Sequence, residues 1–165
     1  MDTFSHALWG YGLFGFRKNA RPTYPKFAAL MGAMPDLISF GALLLLRVIE
    51  GNYSFGKPAL ATSPAWIYPA YTVGHSFVIA FAVIGLVAIW RKDIAFAMLA
   101  WPFHITLDFP FHSLQYFATP MFWPISDFKV DGIPWSHWYI WWPNVAGIII
   151  LLAYRYRQKR QGQRP

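Results

Sequence analysis

Apolar residues run through this chain in blocks too long and too unbroken for a water-soluble fold. Between Lys26 and Arg47 the only ionisable residue is Asp36. Thr62 to Trp90 holds only His75, Ile94 to Ser126 only His104, Asp108 and His112, and Gly132 to Tyr154 only His137. Each block supplies about the 20 mostly apolar residues with which a helix crosses a ~30 Å hydrocarbon layer. None keeps the polar face that a water-exposed helix needs. The pattern predicts an all-α polytopic membrane bundle with four long transmembrane helices, at about 27–48, 70–90, 94–117 and 138–155. A fifth apolar segment, MDTFSHALWGYGLFGF, opens the chain. It is short for a crossing and lacks the basic start and small-residue cleavage site of a signal peptide. A short or half-spanning N-terminal apolar helix is expected there, with Asp2 and Ser5 suited to its first turn. Residues 1–155 then form a single transmembrane helical domain, followed by a basic cytoplasmic tail, 156–165.

Composition agrees with that architecture and removes several chemistries. Of 165 residues, 56% are hydrophobic, 20% aromatic and 13% charged, against about a quarter charged in a soluble domain. The chain is too apolar and too aromatic to be disordered. It has no cysteine, which excludes disulfides, thiolate metal sites and cysteine nucleophiles. Its one glutamate is Glu50, so carboxylate chemistry falls to the aspartates.

The net charge of +7 reads as orientation. Arg17, Lys18, Arg21 and Lys26 precede the first long span, Arg91 and Lys92 separate the second from the third, and Arg155, Arg157, Lys159, Arg160 and Arg164 follow the last. These are eleven of the fourteen basic residues, and the positive-inside bias places them in the cytoplasm. Arg47, Lys57 and Lys129, with the loops around 50–68 and 118–137, then face outward, as does the amino terminus. Trp66, Tyr68, Tyr71, Trp123, Trp135, Trp138 and Trp142 crowd the outer ends as an interfacial belt would. No nucleic-acid motif accompanies the basic groups; their expected partner is the membrane lipid itself. The chain is expected to be an integral protein of a bacterial or archaeal cytoplasmic (inner) membrane, with its C-terminus in the cytoplasm.

Inside the bilayer a charge costs about 2.5–3.5 kcal/mol or more, so ionisable residues there face partners or wet cavities. At about 1.5 Å per residue, Asp36 lies near the middle of its span and His75 a little in from the outer end of the second. His104 and Asp108 fall in the middle to outer half of the third, and His6 near the outer end of the amino-terminal segment. Five polar groups from four segments converge on one level. His104-Ile-Thr-Leu-Asp108 places a histidine and a carboxylate at i and i+4 on one helical face, a donor pair suited to zinc or a similar divalent ion. His112 continues the stripe beyond Pro110 and is a weaker candidate, for proton transfer or for a position behind the ligands. His137 at the outer interface could cap the site. Pro35, Pro102 and Pro110 free backbone groups around these residues, and Gly10, Gly12, Gly15, Gly32 and Gly41 allow close helix approach.

The order Ser5-His6 with Gly10, Gly32-Ala-Met-Pro-Asp36, Gly74-His75-Ser76 and His104-x-x-x-Asp108 resembles the membrane-bound metal-dependent hydrolases, the LexA-regulated, YdjM-like inner-membrane group. The likeness covers residues 1–112, and it is similar at greater distance to the zinc-dependent phospholipases C. It implies metal ligation by His6, Asp36, His75, His104 and Asp108; in a metal-dependent hydrolysis one of the catalytic candidates, Asp36 or Asp108, could bridge two ions or act as the general base. Where members of that group carry His-Arg-Gly-x-Thr-His-Ser, this chain has Tyr71-Thr-Val-Gly-His75-Ser, which implies a smaller ligand set. The expected function is hydrolysis of a lipid or lipid-linked phosphoester at a bound divalent metal, zinc by preference. Two alternatives stand beside it: a small metal, ion or proton transporter, and a non-catalytic membrane subunit with a structural His/Asp network. No HExxH or GxSxG string is present, so the zincin and serine-elbow routes to hydrolysis have no support.

Overall fold

The computed structural model describes residues 1–17, 23–53, 58–59 and 62–161. Lys18, Arg21, Lys57 and Arg164 of the charge pattern lie outside the described residues, as does the end of the tail, 162–165. Every regular element described is helical: α1 (Thr3–Phe14), α2 (Pro25–Asp36), α3 (Ala42–Ile49), α4 (Ile67–Gly74), α5 (Phe77–Trp90), α6 (Lys92–Met98), α7 (Ala100–Asp108) and α8 (Trp138–Arg160).

The number of spans differs from the sequence expectation of four long helices. Among the described residues, two stretches are long and apolar enough to cross a membrane, Pro25–Ile49 and Lys92–Phe111, and a third counts only if the bent pair α4 and α5 is taken as one span. Two local causes account for the difference, a break within the block at 70–90 and a diluted opening of the last helix, and the block at 94–117 is shortened. The block at 70–90 breaks after Gly74, where the axis turns by 57°. Ser76 adopts an extended conformation there and caps α5, its hydroxyl accepting from the Ile79 amide at 3.2 Å. The block at 94–117 leaves the helix at Phe111, past Pro110, because proline supplies no amide to the ladder and crowds the preceding turn. α8 has 23 residues, enough to cross, but its opening Trp138-Tyr-Ile-Trp-Trp-Pro-Asn144 dilutes its hydropathy.

Pro25–Ile49 is continuous but not uniform. Pro35 cannot bond back to the preceding turn, and Leu37–Gly41 winds as a π-helical turn before α3 begins. The Ser39 hydroxyl satisfies the Pro35 carbonyl at 2.9 Å. Asp36 therefore sits at the junction of an α- and a π-turn, a distortion that recurs at functional sites.

The surface is unlike that of a soluble protein, and the core encloses a polar cluster. Ser5, His6, Asp36, His75, His104, Asp108 and Asn144 are buried. Ile49 is 75% exposed, Trp90 70% and Ile150 69%. An apolar exposed surface around an apolar core that encloses a few polar groups is what lipid as solvent selects, since lipid solvates Ile and Trp and not carboxylates.

α1 lies against α2 so closely that side chains are not admitted between them. A Cβ on Gly32 would collide with the His6 carbonyl, and one on Gly10 with the Ala28 carbonyl. Both obstacles are backbone and cannot swing aside. Gly32→Val is expected to cost about 1–3 kcal/mol through forced helix separation, read as a lowered unfolding midpoint in detergent. An unchanged midpoint would show that the two helices do not touch there.

The opposite end of the bundle gathers basic groups. Arg91 donates to Asp93 at 3.0 Å and to the Tyr24 hydroxyl at 2.9 Å, and Tyr24 donates to Asp93 at 2.8 Å. The Asp93 carboxylate beside it holds the Tyr24 phenol above its ordinary pKa. Arg155 reaches from α8 to the Gly12 carbonyl at 2.7 Å and lies over the Phe16 ring. Arg17, Arg91 and Arg155 thus mark one end, and the loops after α3 and after α7 the other.

Candidate metal centre

The break between α4 and α5 builds the first half of the site. A helix interrupted inside a bundle leaves amides and carbonyls unpaired, and neighbouring protein must satisfy them. Here the Trp101 indole donates to the Gly74 carbonyl at 2.6 Å and the Phe77 amide to the Met121 carbonyl at 2.8 Å. The Ser76 hydroxyl donates to the Trp123 carbonyl. So fixed, the break carries His75 into the interior, fully buried.

Two imidazoles are oriented by backbone carbonyls. His75 Nδ1 lies 2.9 Å from the Tyr71 carbonyl, and His104 Nδ1 lies 2.7 Å from the Gly32 carbonyl. A carbonyl oxygen only accepts, so each Nδ1 must carry the proton and donate. In the neutral ring each Nε2 is then a bare lone pair, and the two face each other at 3.1 Å. The second nitrogen of a metal-bound histidine is held by just such a partner.

Two carboxylates complete the group. Asp108 Oδ2 is 3.2 Å from His104 Nε2 and 3.5 Å from His75 Nε2. Asp36 Oδ1 is 3.9 Å from both nitrogens. Asp36, His75, His104 and Asp108 are all buried and offer one atom each within 4.8 Å of one another. Ligand atoms around a tetrahedral ion with ~2.0–2.2 Å bonds stand about 3.3–3.6 Å apart, close to this spacing. Asp108 Oδ2 has no hydrogen-bond partner although it is buried. An orphaned carboxylate oxygen beside two converging lone pairs is unfavourable for a dry core and fits a cation. The donor set, two nitrogens and two carboxylate oxygens, suits zinc or a similar divalent ion.

His6 arrives by a different route from the other four. Its Nε2 donates to Asp108 Oδ1 at 2.9 Å, and its ring stacks on His104 at 3.6 Å between centroids. The structure thus brings His6 to the site through Asp108, with Nδ1 buried and unpartnered. The Met1 amino group also contacts Asp108 Oδ1. Thr3 donates to Asp36 Oδ2 at 2.8 Å, so α1 steadies both aspartates.

Three placements extend the sequence reading. His112 stands close to the site, its Nε2 3.7 Å from Asp108 Oδ2. Tyr71 was not singled out for the site, and its hydroxyl ties His112 Nδ1 at 2.8 Å and the Phe117 carbonyl at 2.7 Å. Its spacing from His75, one helical turn earlier, was the available signal. His137 is exposed at the start of α8 and stacks on Tyr139; it is not one of the clustered groups.

A cavity of about 510 Å³ reaches the site from the end opposite Arg91. Asp36 and His112 are the members of the site that line it, and its walls include Phe40, Leu43, Leu44, Phe111 and Tyr116. On the other side of the site, Ala28, Ala97, Met98 and Ala100 are buried.

No protein-family model matches this chain, and no curated protein or solved structure does.

Proposed function

We propose that this chain is a membrane-embedded, metal-dependent hydrolase of a lipid or lipid-linked phosphoester, with zinc as its metal. The observation that carries the reading is the pair of Nε2 lone pairs, 3.1 Å apart and each fixed by a carbonyl behind it, beside an unpartnered buried oxygen of Asp108. His75, His104 and Asp108 hold the ion, Asp36 stands beside it on the cavity side, and His6 backs Asp108. The motif order of the first two thirds of the chain, which resembles the membrane-bound metal-dependent hydrolases, supports the same reading. So does the placement of the cavity among the loops read as outward-facing, in the bacterial or archaeal inner-membrane orientation with a cytoplasmic C-terminus.

The bound ion supplies Lewis acidity towards a phosphoryl oxygen and activates water near neutral pH. The chain's own groups divide the remaining work by their access. Asp108 is sealed from the cavity and keeps the ligand geometry. Asp36 faces the cavity, with Oδ2 held by Thr3, and Oδ1 takes the proton of the water that attacks phosphorus and returns it to the leaving alcohol oxygen as that P–O bond breaks. Apolar walls exclude competing water and accept the chain of an amphiphile. A substrate dissolved in the lipid reaches the cavity without leaving the membrane. A polar path to the other face would favour transport instead; among the described residues, the buried Ala28, Ala97 and Met98 offer apolar surface on that side.

The test is elemental analysis of detergent-purified protein together with phospholipid hydrolysis before and after chelation. About one divalent ion or more per chain is expected, with hydrolysis lost on chelation and restored by zinc. Protein that takes up no divalent ion on equilibration, or hydrolysis indifferent to chelation, would overturn the proposal.

A further inference from the structure

The cavity has a charged rim as well as a charged floor. Arg47, in the last turn of α3, lines it together with Asp36. The two lie eleven positions apart on one continuous helix, about 16 Å between backbones, and the arginine stem can reach back over part of that distance. Phe40, Leu43 and Leu44 form the wall between them.

The bonds that Arg47 makes do not neutralise it. Its guanidinium donates to the Thr62 hydroxyl at 3.2 Å and to the Thr62 carbonyl at 3.4 Å, both uncharged acceptors. Among the described residues, no carboxylate stands within ion-pair distance of it. Asp2, the other acid on the cavity wall, is committed to the amide and hydroxyl of Ser5. Arg47 is thus a cation without a counter-ion at the mouth of an apolar cavity. The cavity is also open towards lipid, since Phe4 and Leu44 line it while being 83% and 48% exposed.

Resting on the hydrolase reading above, we infer that Arg47 selects the substrate's head group, and that the substrate is a net-anionic lipid. With the scissile phosphoester at the Asp36 end and the acyl chains leaving past Phe4 and Leu44, the head group extends along the cavity to the rim. A quaternary or primary ammonium there meets the guanidinium and is repelled. A head group without a cation leaves the lipid's negative charge free to attract Arg47, and an added anionic group bonds it directly. Discrimination comes as much from the clash with the wrong head group as from attraction to the right one.

The experiment is calorimetric titration of the metal-loaded protein, in neutral detergent, with short-chain phosphatidylglycerol and phosphatidylcholine of identical acyl chains. Wild type is expected to favour phosphatidylglycerol by about tenfold or more, the usual scale of one charge-assisted hydrogen bond. Arg47→Gln is expected to erase that preference, and Arg47→Glu to reverse it towards phosphatidylcholine. Arg47→Lys keeps the cation, retains most of the preference and controls for a folding defect. An arginine that merely tied down Thr62 would weaken both lipids alike, and an unchanged ratio in Arg47→Gln and Arg47→Glu would overturn the inference. The ratio is read from binding and needs no turnover. Protein that shows the charge-dependent ratio but no hydrolysis would refute the enzymatic reading and leave Arg47 as the head-group selector of a lipid-binding cavity, with the lipid a ligand and not a substrate.

Discussion

Asp108→Asn is expected to strip the site of its metal, with affinity falling by at least 100-fold. Exchanging a group behind a ligand already costs about 10–100-fold, and Asp108 is closer in than that. Its Oδ2 is the oxygen nearest both Nε2 atoms, while Oδ1 accepts from His6. Asparagine keeps the volume and removes the charge. It also presents an amide whose N–H₂ cannot face a cation, so no rotamer restores both contacts. The measurement is zinc per chain after gel filtration, beside a titration against a chelator of known strength. Full retention of metal by Asp108→Asn would mean that other residues hold the ion. The size of the effect follows from burial. A lone pair in a dry interior has no water to fall back on, so each ligand lost is lost outright.

Asp36→Asn is expected to separate activity from metal content. Asp36 Oδ1 is the outlying member of the group, 3.9 Å from each nitrogen, and it is the carboxylate that lines the cavity. Its replacement should lower hydrolysis by about 10²–10⁴-fold, the range of a general base, while retaining more metal than Asp108→Asn. Parallel loss of metal and rate in the two variants would assign both aspartates to ligation alone and leave the base unidentified. Normal turnover by Asp36→Asn would remove it from the mechanism.

The candidate ligands were legible in the chain because scarcity of charge makes a buried aspartate expensive. Asp36 and Asp108 are the ionisable acids inside the long apolar blocks, and the helical repeat alone puts His104 on the face of Asp108. Depth along each block brought His75 and His6 to the same level, and the structure assembles these residues as neighbours. What the pattern of hydropathy missed is the break after Gly74. A run as apolar as Tyr71 to Trp90 scores as one helix, and the reason it bends lies elsewhere. Trp101, Met121 and Trp123 supply the partners for the freed backbone groups, and none is near in sequence. His112 was legible as a weaker candidate behind the ligands, because Pro110 left the course of the chain beyond it open. Phe109–Phe111 continues as a 3₁₀ turn, leaving His112 beside Asp108 and in reach of Tyr71.

By itself, the sequence determined the helical class, the membrane-adapted surface and the identities of the converging polar residues. Those follow from solvation: lipid rejects carboxylates singly and locally, one residue at a time, so position along the chain is enough. Tertiary structure alone decided how many of the apolar blocks run straight and which nitrogen of each imidazole faces inward. It also decided which carboxylate meets the cavity. Those depend on who satisfies whom across the bundle. The Tyr71 and Gly32 carbonyls choose the tautomers of His75 and His104. α1 reaches Asp36 through Thr3 and Asp108 through His6. Hydrogen bonds between residues distant in sequence carry that information, and no periodicity records them.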